Sequence, residues 1–223
     1  MKTNAIRKTY KGRLVLDVPS LDLEGGKVYS IVGANGSGKS TFAKILAGIV
    51  DADEGIGALS DVGYMAQKSY AFNMSLEKNI LINGDDKERC QKLMGALNIS
   101  YLASNKAKTL SGGETAKMAL ARIMMKDYKV LILDEPINGL DPEGIKEIRE
   151  LLLRLNQEKG ITILISSHIL GELSKIATHY GIIRDGVLIE ESEASKLQER
   201  CRRCHKLFVD NDALATSILE EKL

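Results

Sequence analysis

Apolar and polar residues largely alternate along residues 13–24 (RLVLDVPSLDLE), the period of half-buried strands near a sheet edge. Residues 27–32 (KVYSIV) form a short β-prone run that stops at Gly33. The period then changes. Over residues 41–49 the apolar positions Phe42, Ile45, Leu46 and Ile49 fall on one face of a predicted helix. A polar, glycine-containing loop is expected at 51–60 and a strand at 61–66. Helices follow at 75–97, interrupted at 83–85, and at 111–126. Residues 129–133 (KVLIL) and 161–165 (ITILI) are almost wholly apolar, as parallel strands covered on both faces are. Between them the pattern predicts a helix over 142–158, with Pro142 in the tolerated first turn. A helix is expected at 169–178, then a strand pair over 181–190 turning at Asp185-Gly186. From about residue 197 the chain has room for one more strand (206–209) and a short helix. Strands alternating with helices predict an α/β fold.

Composition narrows this little. At 223 residues the chain can form one large domain or two small ones, and 44% hydrophobic with 27% charged residues is ordinary for a globular protein. Lysine and arginine total 31 against 30 acids, a net charge of +1, so no nucleic acid partner is expected from bulk charge. No apolar run reaches the roughly 20 residues needed to span a bilayer. The first residues lack the apolar stretch of a secretory signal, and the three cysteines make an odd count. The expected location is therefore the cytoplasm, and a membrane role would require separate partner chains.

The chemistry begins at Gly33-Ala34-Asn35-Gly36-Ser37-Gly38-Lys39-Ser40, which fits the P-loop spacing of Gly, four residues, Gly, Lys, Ser. Glycines let successive N–H groups face phosphate oxygens, and the helix that opens at Thr41 adds its positive end. Lys39 is expected on the β- and γ-phosphates and Ser40 on Mg²⁺. Asp134 and Glu135 close the apolar strand, at the carboxyl end where open α/β sheets bind ligands. Asp134 is placed to hold Mg²⁺, and Glu135 to orient or deprotonate the attacking water. A helix cap and a surface acid would explain the same pair without chemistry. His168 follows the later strand, where a γ-phosphate contact competes with a purely structural role.

Carrying these residues, the chain resembles the ATP-binding-cassette (ABC) ATPases. Leu110-Ser111-Gly112-Gly113-Glu114 looks like their signature motif, and the remaining motifs lie in family order. Tyr10 corresponds to the adenine-stacking aromatic, Gln67 to the Q-loop, Gly139-Leu140-Asp141 to the D-loop and His168 to the switch histidine. The resemblance implies a P-loop NTPase core with a mainly parallel sheet, a trimmed antiparallel β subdomain and a helical subdomain at about 68–126 carrying the signature. The cassette would occupy 1–196 and a small extension 197–223. It implies ATP bound by Tyr10, Gly33, Asn35, Gly36, Ser37, Gly38, Lys39, Ser40 and Thr41, with Ser111, Gly112 and Gly113 supplied in trans. Mg²⁺ would be held by Ser40, Gln67 and Asp134, and Glu135, His168 and Gln67 would serve catalysis. The implied activity is ATP hydrolysis by the ATP-binding subunit of a transporter, in a homodimer or ABC heterodimer. It would sit on the inner face of the membrane through separate permease subunits. A soluble ABC ATPase driving an assembly or remodelling complex is the alternative.

Some features depart from the family or stand outside it. Only 28 positions separate Lys39 from Gln67, so the antiparallel subdomain must be short, and Thr115-Ala116-Lys117 stands where glutamine and arginine are usual. Residues 15–48 and 64–80 look like tungstate-type importer ATPases, whereas 130–191 resemble bacitracin-resistance exporter ATPases, as a natural mosaic or a fusion near Asp134 would. Tyr70, Phe72 and Met74 alternate beside Gln67, as a strand edge on the core or as a groove for a helix of a membrane partner. Cys201-Arg202-Arg203-Cys204-His205 spells a haem c attachment pattern or half a zinc site; free thiols in a basic extension are the simpler reading.

Overall fold

The computed structural model describes residues 2–202 apart from Ile56, Ile169, Leu170, Glu172 and Leu173. Eight strands build one sheet: β1 Ile6–Tyr10, β2 Arg13–Val18, β3 Val28–Val32, β4 Val62–Met65, β5 Val130–Asp134, β6 Thr162–Ser167, β7 His179–Arg184 and β8 Val187–Glu193. Their spatial order is β1-β2-β8-β7-β3-β6-β5-β4. Neighbours from β7 to β4 pair in parallel, while β1–β2 and β7–β8 are antiparallel hairpins. The α/β architecture with a parallel centre and a small antiparallel edge is the one expected.

The central strands are apolar on both faces because both faces are covered. Along β5, Val130 and Ile132 pack into the cluster under helix α1 (Lys39–Leu46), with Phe42, Ile45 and Leu46. Leu131 and Leu133 point the other way, into the larger cluster beneath helices α2 (Leu76–Ile80), α3 (Lys87–Ala96), α4 (Gly112–Ile123) and α5 (Pro142–Lys159). Helices α2 to α4 fill the interval between β4 and β5; the interruption expected at 83–85 begins earlier, after Ile80, with a 3-10 turn over Leu81–Asn83. At about 25 cal/mol per Å², burial on both faces makes the adjacent strands β3, β6 and β5 the most strongly held part of the sheet.

Helix starts follow local chemistry. Ser111 caps α4 through a reciprocal pair in which the Glu114 N–H donates to Ser111 Oγ and the Ser111 N–H donates to Glu114 Oε2. Asp141 Oδ1 accepts from the Gly144 N–H at the start of α5, with Pro142 in its first turn. Helix α1 is different: it opens after Gly38 with no side-chain cap.

Several expectations need correction. Helix α1 ends at Leu46, because the chain turns at Gly48 with φ of +68°, and Ile49 is exposed rather than on the buried face. Residues 13–24 hold one strand, not two, and its hairpin partner is β1, which the pattern did not predict. Between α1 and β4 no strand forms among the described residues; Glu54 makes only an isolated bridge to Arg7. A helix, α6 (Ala194–Arg202), begins directly after β8 and crosses residues 196 and 197. Of the helix expected at 169–178, residues 174–178 are turn and bend instead, ending where the Thr178 N–H donates to Val28 O. Residues 169, 170, 172 and 173 lie outside the described residues, as do the strand expected at 206–209, Cys204, His205 and the Cys201 side chain. Among the described residues no helix is long and apolar enough to cross a membrane.

Candidate nucleotide site

The P-loop residues lie between β3 and α1. At Gly33 a Cβ would sit 2.2 Å from Ile183 O, and Gly38 adopts φ of +105° to enter the helix. The uncapped first turn of α1 leaves its N–H groups without side-chain partners, the condition for binding an anion there. The hairpin tip between β7 and β8 secures the loop from outside, with the Gly186 N–H donating to Ser37 O at 3.0 Å. Lys39 is buried. Its Nζ donates to Gly33 O (2.8 Å) and Ala34 O (3.0 Å) and lies 3.7 Å from Glu135 Oε1.

Strand parity brings the acids to this loop. Asp134 follows Val130 and Ile132 on the face that α1 covers, so its side chain meets that helix. Ser40 Oγ donates to Asp134 Oδ1 at 3.0 Å, and Ser166 Oγ donates to the same oxygen at 2.6 Å. Asp134 is 1% exposed. A deeply buried carboxylate that hydroxyls bind, next to a second hydroxyl ligand, is a hard oxygen donor set suited to Mg²⁺. Tyr64, beside them on β4, has its phenol pushed up by burial and then by the Asp134 charge, and its hydroxyl is buried without a hydrogen bond.

Glu135 leaves the strand in a left-handed backbone conformation, φ +52°, which costs about 1–3 kcal/mol for a residue with a side chain. The Glu135 N–H donates to Ser166 O at 3.0 Å and Ser166 Oγ at 3.2 Å, which holds that bend. The bend turns the carboxylate away from the strand. Its Oε2 lies 2.9 Å from His168 Nδ1. A carboxylate can only accept, so with Glu135 ionised Nδ1 carries the proton and Nε2 remains for another partner.

Val15, Asn35, Gly36, Gly38, Lys39, Ser40, Thr41, Gln67 and Glu135 line one cavity of about 370 Å³. Ser111 and Gly113 line a separate one of about 420 Å³, with Tyr101, Lys117, Asp141 and Glu147. The two share no residue. Tyr10 lines neither; it stands half-exposed at the end of β1, on the hairpin whose other strand contributes Val15. Thus the P-loop residues, Gln67, Asp134, Glu135 and His168 lie together, Tyr10 stands outside their cavity at the end of β1, and Ser111 and Gly113 line the other cavity. Ser166 and Val15 were missed by sequence reading. Ser166 could have been found from strand register, since it pairs directly with Asp134.

The family profile described as ABC transporter matches residues 16–138. The chain belongs to the ABC transporter ATP-binding family. It is 34% identical to the uncharacterized ABC transporter ATP-binding protein YcbN of Bacillus subtilis, over 100% of this chain and 79% of that protein. Identity to the bacitracin transport ATP-binding protein BcrA of Bacillus licheniformis is 30%, over 99% of this chain and 78% of that one. The tungstate uptake system ATP-binding protein TupC of Peptoclostridium acidaminophilum is 35% identical, over 81% and 92%. Among solved structures, a nucleotide-free ATP-binding cassette from an ABC transporter superposes with a TM-score of 0.79 at 26% identity, over 89% of this chain and 93% of that one. The likenesses to bacitracin-type and tungstate-type proteins therefore both extend beyond the halves that first suggested them. This ABC cassette is an ATPase, the subunit that binds and hydrolyses ATP to power transport through separate membrane subunits.

Proposed function

We propose that two copies of the cassette close head to tail on two ATP molecules, each site combining the P-loop cavity of one copy with Ser111–Gly113 of the other. The observation that carries this reading is the pair of half-sites. One chain holds a phosphate-binding cavity and a signature surface that share no residue, so each needs a second chain to complete it. Because every chain carries both, two identical copies suffice, which supports a homodimer over a heterodimer. The cassette body is taken as running through β8 to residue 193, with α2 to α4 as its helical subdomain at about 68–126; the boundary expected between 196 and 197 falls inside α6.

In each site Lys39 and the α1 N–H groups hold the phosphates. Ser40, Gln67 and Asp134 are the residues that would hold Mg²⁺, which neutralises charge on the phosphate oxygens. Glu135 orients the attacking water and takes its proton, and His168 steadies Glu135 through Nδ1 while Nε2 faces the γ-phosphate. Tyr10 stacks on the base. The test is Glu135→Gln. Its ATPase rate should fall by about 10²–10⁴-fold, and size-exclusion chromatography with light scattering should show the mass doubling in Mg-ATP. A variant that remains monomeric under saturating Mg-ATP would refute the sandwich.

Tyr70 and Phe72 form an exposed edge-to-face pair, ring centroids 4.8 Å apart, directly after Gln67. This apolar surface supports docking of a membrane subunit there, and with it a position on the cytoplasmic face of the membrane. Export of a peptide antibiotic is the favoured cargo reading, because the bacitracin-type relative aligns along nearly the whole chain. Tungstate uptake is the second reading, favoured by the higher identity of the tungstate-type relative. Deleting the gene should lower resistance to bacitracin-like peptides under the first and tungstate accumulation under the second.

A further inference from the structure

The shortened interval between Lys39 and Gln67 closes onto β1 just ahead of Tyr10. The Arg7 N–H donates to Glu54 O at 3.1 Å, and the Asp53 N–H donates to Arg7 O at 2.9 Å. At Gly55, φ +85°, a Cβ would fall 1.8 Å from Ala5 O, so the loop lies against the strand more closely than any side chain allows. The two oxygens of Asp53 then diverge. Oδ1 accepts from Lys8 Nζ at 2.7 Å, and Oδ2 accepts from the Thr9 N–H at 2.6 Å. The hydrogen bond from Lys8, reinforced by the Thr9 N–H, holds the Asp53 carboxyl below its ordinary range. Lys8 is drawn inward, its side chain only 14% exposed, and its Nζ lies over the Tyr10 ring, 5.4 Å from the centroid. Tyr10 itself is 47% exposed, so little packing fixes the ring.

We infer that Asp53 is a positioning residue for nucleotide binding: it fixes Lys8 and the Thr9 backbone so that one face of Tyr10 meets the ammonium and the other is presented to the purine base. The inference rests on the proposed role of Tyr10 as the base-stacking aromatic. An ordered ring costs the nucleotide less entropy on binding, and the ammonium stabilises one ring conformation through the π face. The effect concerns the base alone, since neither Asp53 nor Lys8 lines the phosphate cavity.

Isothermal titration with a non-hydrolysable ATP analogue and with inorganic tripolyphosphate, both with magnesium, separates base from phosphate binding. Asp53→Asn and Lys8→Met should each weaken the analogue by about three- to ten-fold, with tripolyphosphate affinity held within about two-fold. Tyr10→Leu should weaken the analogue at least as much, again sparing tripolyphosphate. Equal losses for both ligands in Asp53→Asn, or no loss for either, would overturn the inference while the Tyr10 result stands. Tyr10→Leu leaving the analogue's affinity unchanged would overturn the stacking role itself.

Discussion

Ser166 holds two neighbouring acidic residues through one hydroxyl. Its Oγ donates to Asp134 Oδ1 and accepts from the Glu135 N–H, so it fixes one carboxylate and the backbone bend of the next. Ser166→Ala leaves Asp134 with Ser40 as its hydroxyl partner and removes one acceptor from the Glu135 N–H, which retains Ser166 O. The expected cost is about 1–2 kcal/mol in stability by urea denaturation. Turnover should fall more than that implies, by roughly ten-fold in kcat, because the left-handed turn at Glu135 loses part of its support. An unchanged kcat would mean that Ser166 O alone holds the bend. Lys39, Asp134, Glu135 and His168 were legible in the sequence because motif spacing marks them. Ser166 was not, since its role comes from register between strands 32 positions apart. No local pattern encodes that pairing.

Elements were legible in proportion to how their two faces differ or agree. Strands β3, β5 and β6 are buried at every position, so a mainly apolar, β-prone run announces each of them. Strand β1, IRKTY, buries only Ile6 fully and offers neither alternation nor a run; its partners, β2 and the 53–55 loop, define it. Helix α4 was expected from residue 111, where the Ser111–Glu114 cap does start it, but its tie to α2 was not legible. That tie is Arg122. Its guanidinium donates to Asn79 O (2.7 Å), Asn79 Oδ1 (2.8 Å) and Tyr70 O (3.0 Å), and stands 5.3 Å from the Phe72 ring centroid. Burial lowers its pKa by disfavouring the charge, and the oriented carbonyl oxygens around it offset that penalty. Arg122→Met should cost about 2–4 kcal/mol, because it strands those acceptors, and should speed proteolysis in residues 67–75. Arg122→Lys should recover less than half of the loss, since an ammonium cannot reproduce the fork. Full rescue by lysine would assign the effect to charge alone.

At the scale of the molecule, the separation of the two cavities has a consequence that a single chain cannot show. A Lys39→Ala chain loses its P-loop cavity but keeps its signature surface; a Ser111→Arg chain has the reverse defect. Each alone should form only dead dimers. When the two are mixed in equal amounts, half of the dimers are mixed, and each of these contains one intact composite site out of two. Independent sites then predict about one quarter of the wild-type ATPase rate per dimer, from two inactive proteins. If Ser111 served the cavity of its own chain, every site in the mixture would carry a defect and no activity would return. Sites that fire only as a pair would likewise stay silent, but mixed dimers would still form in Mg-ATP, and crosslinking between differently tagged chains would detect them. Recovery of activity therefore reports the trans arrangement directly, and silence with no mixed dimer would show that the signature surface has another partner.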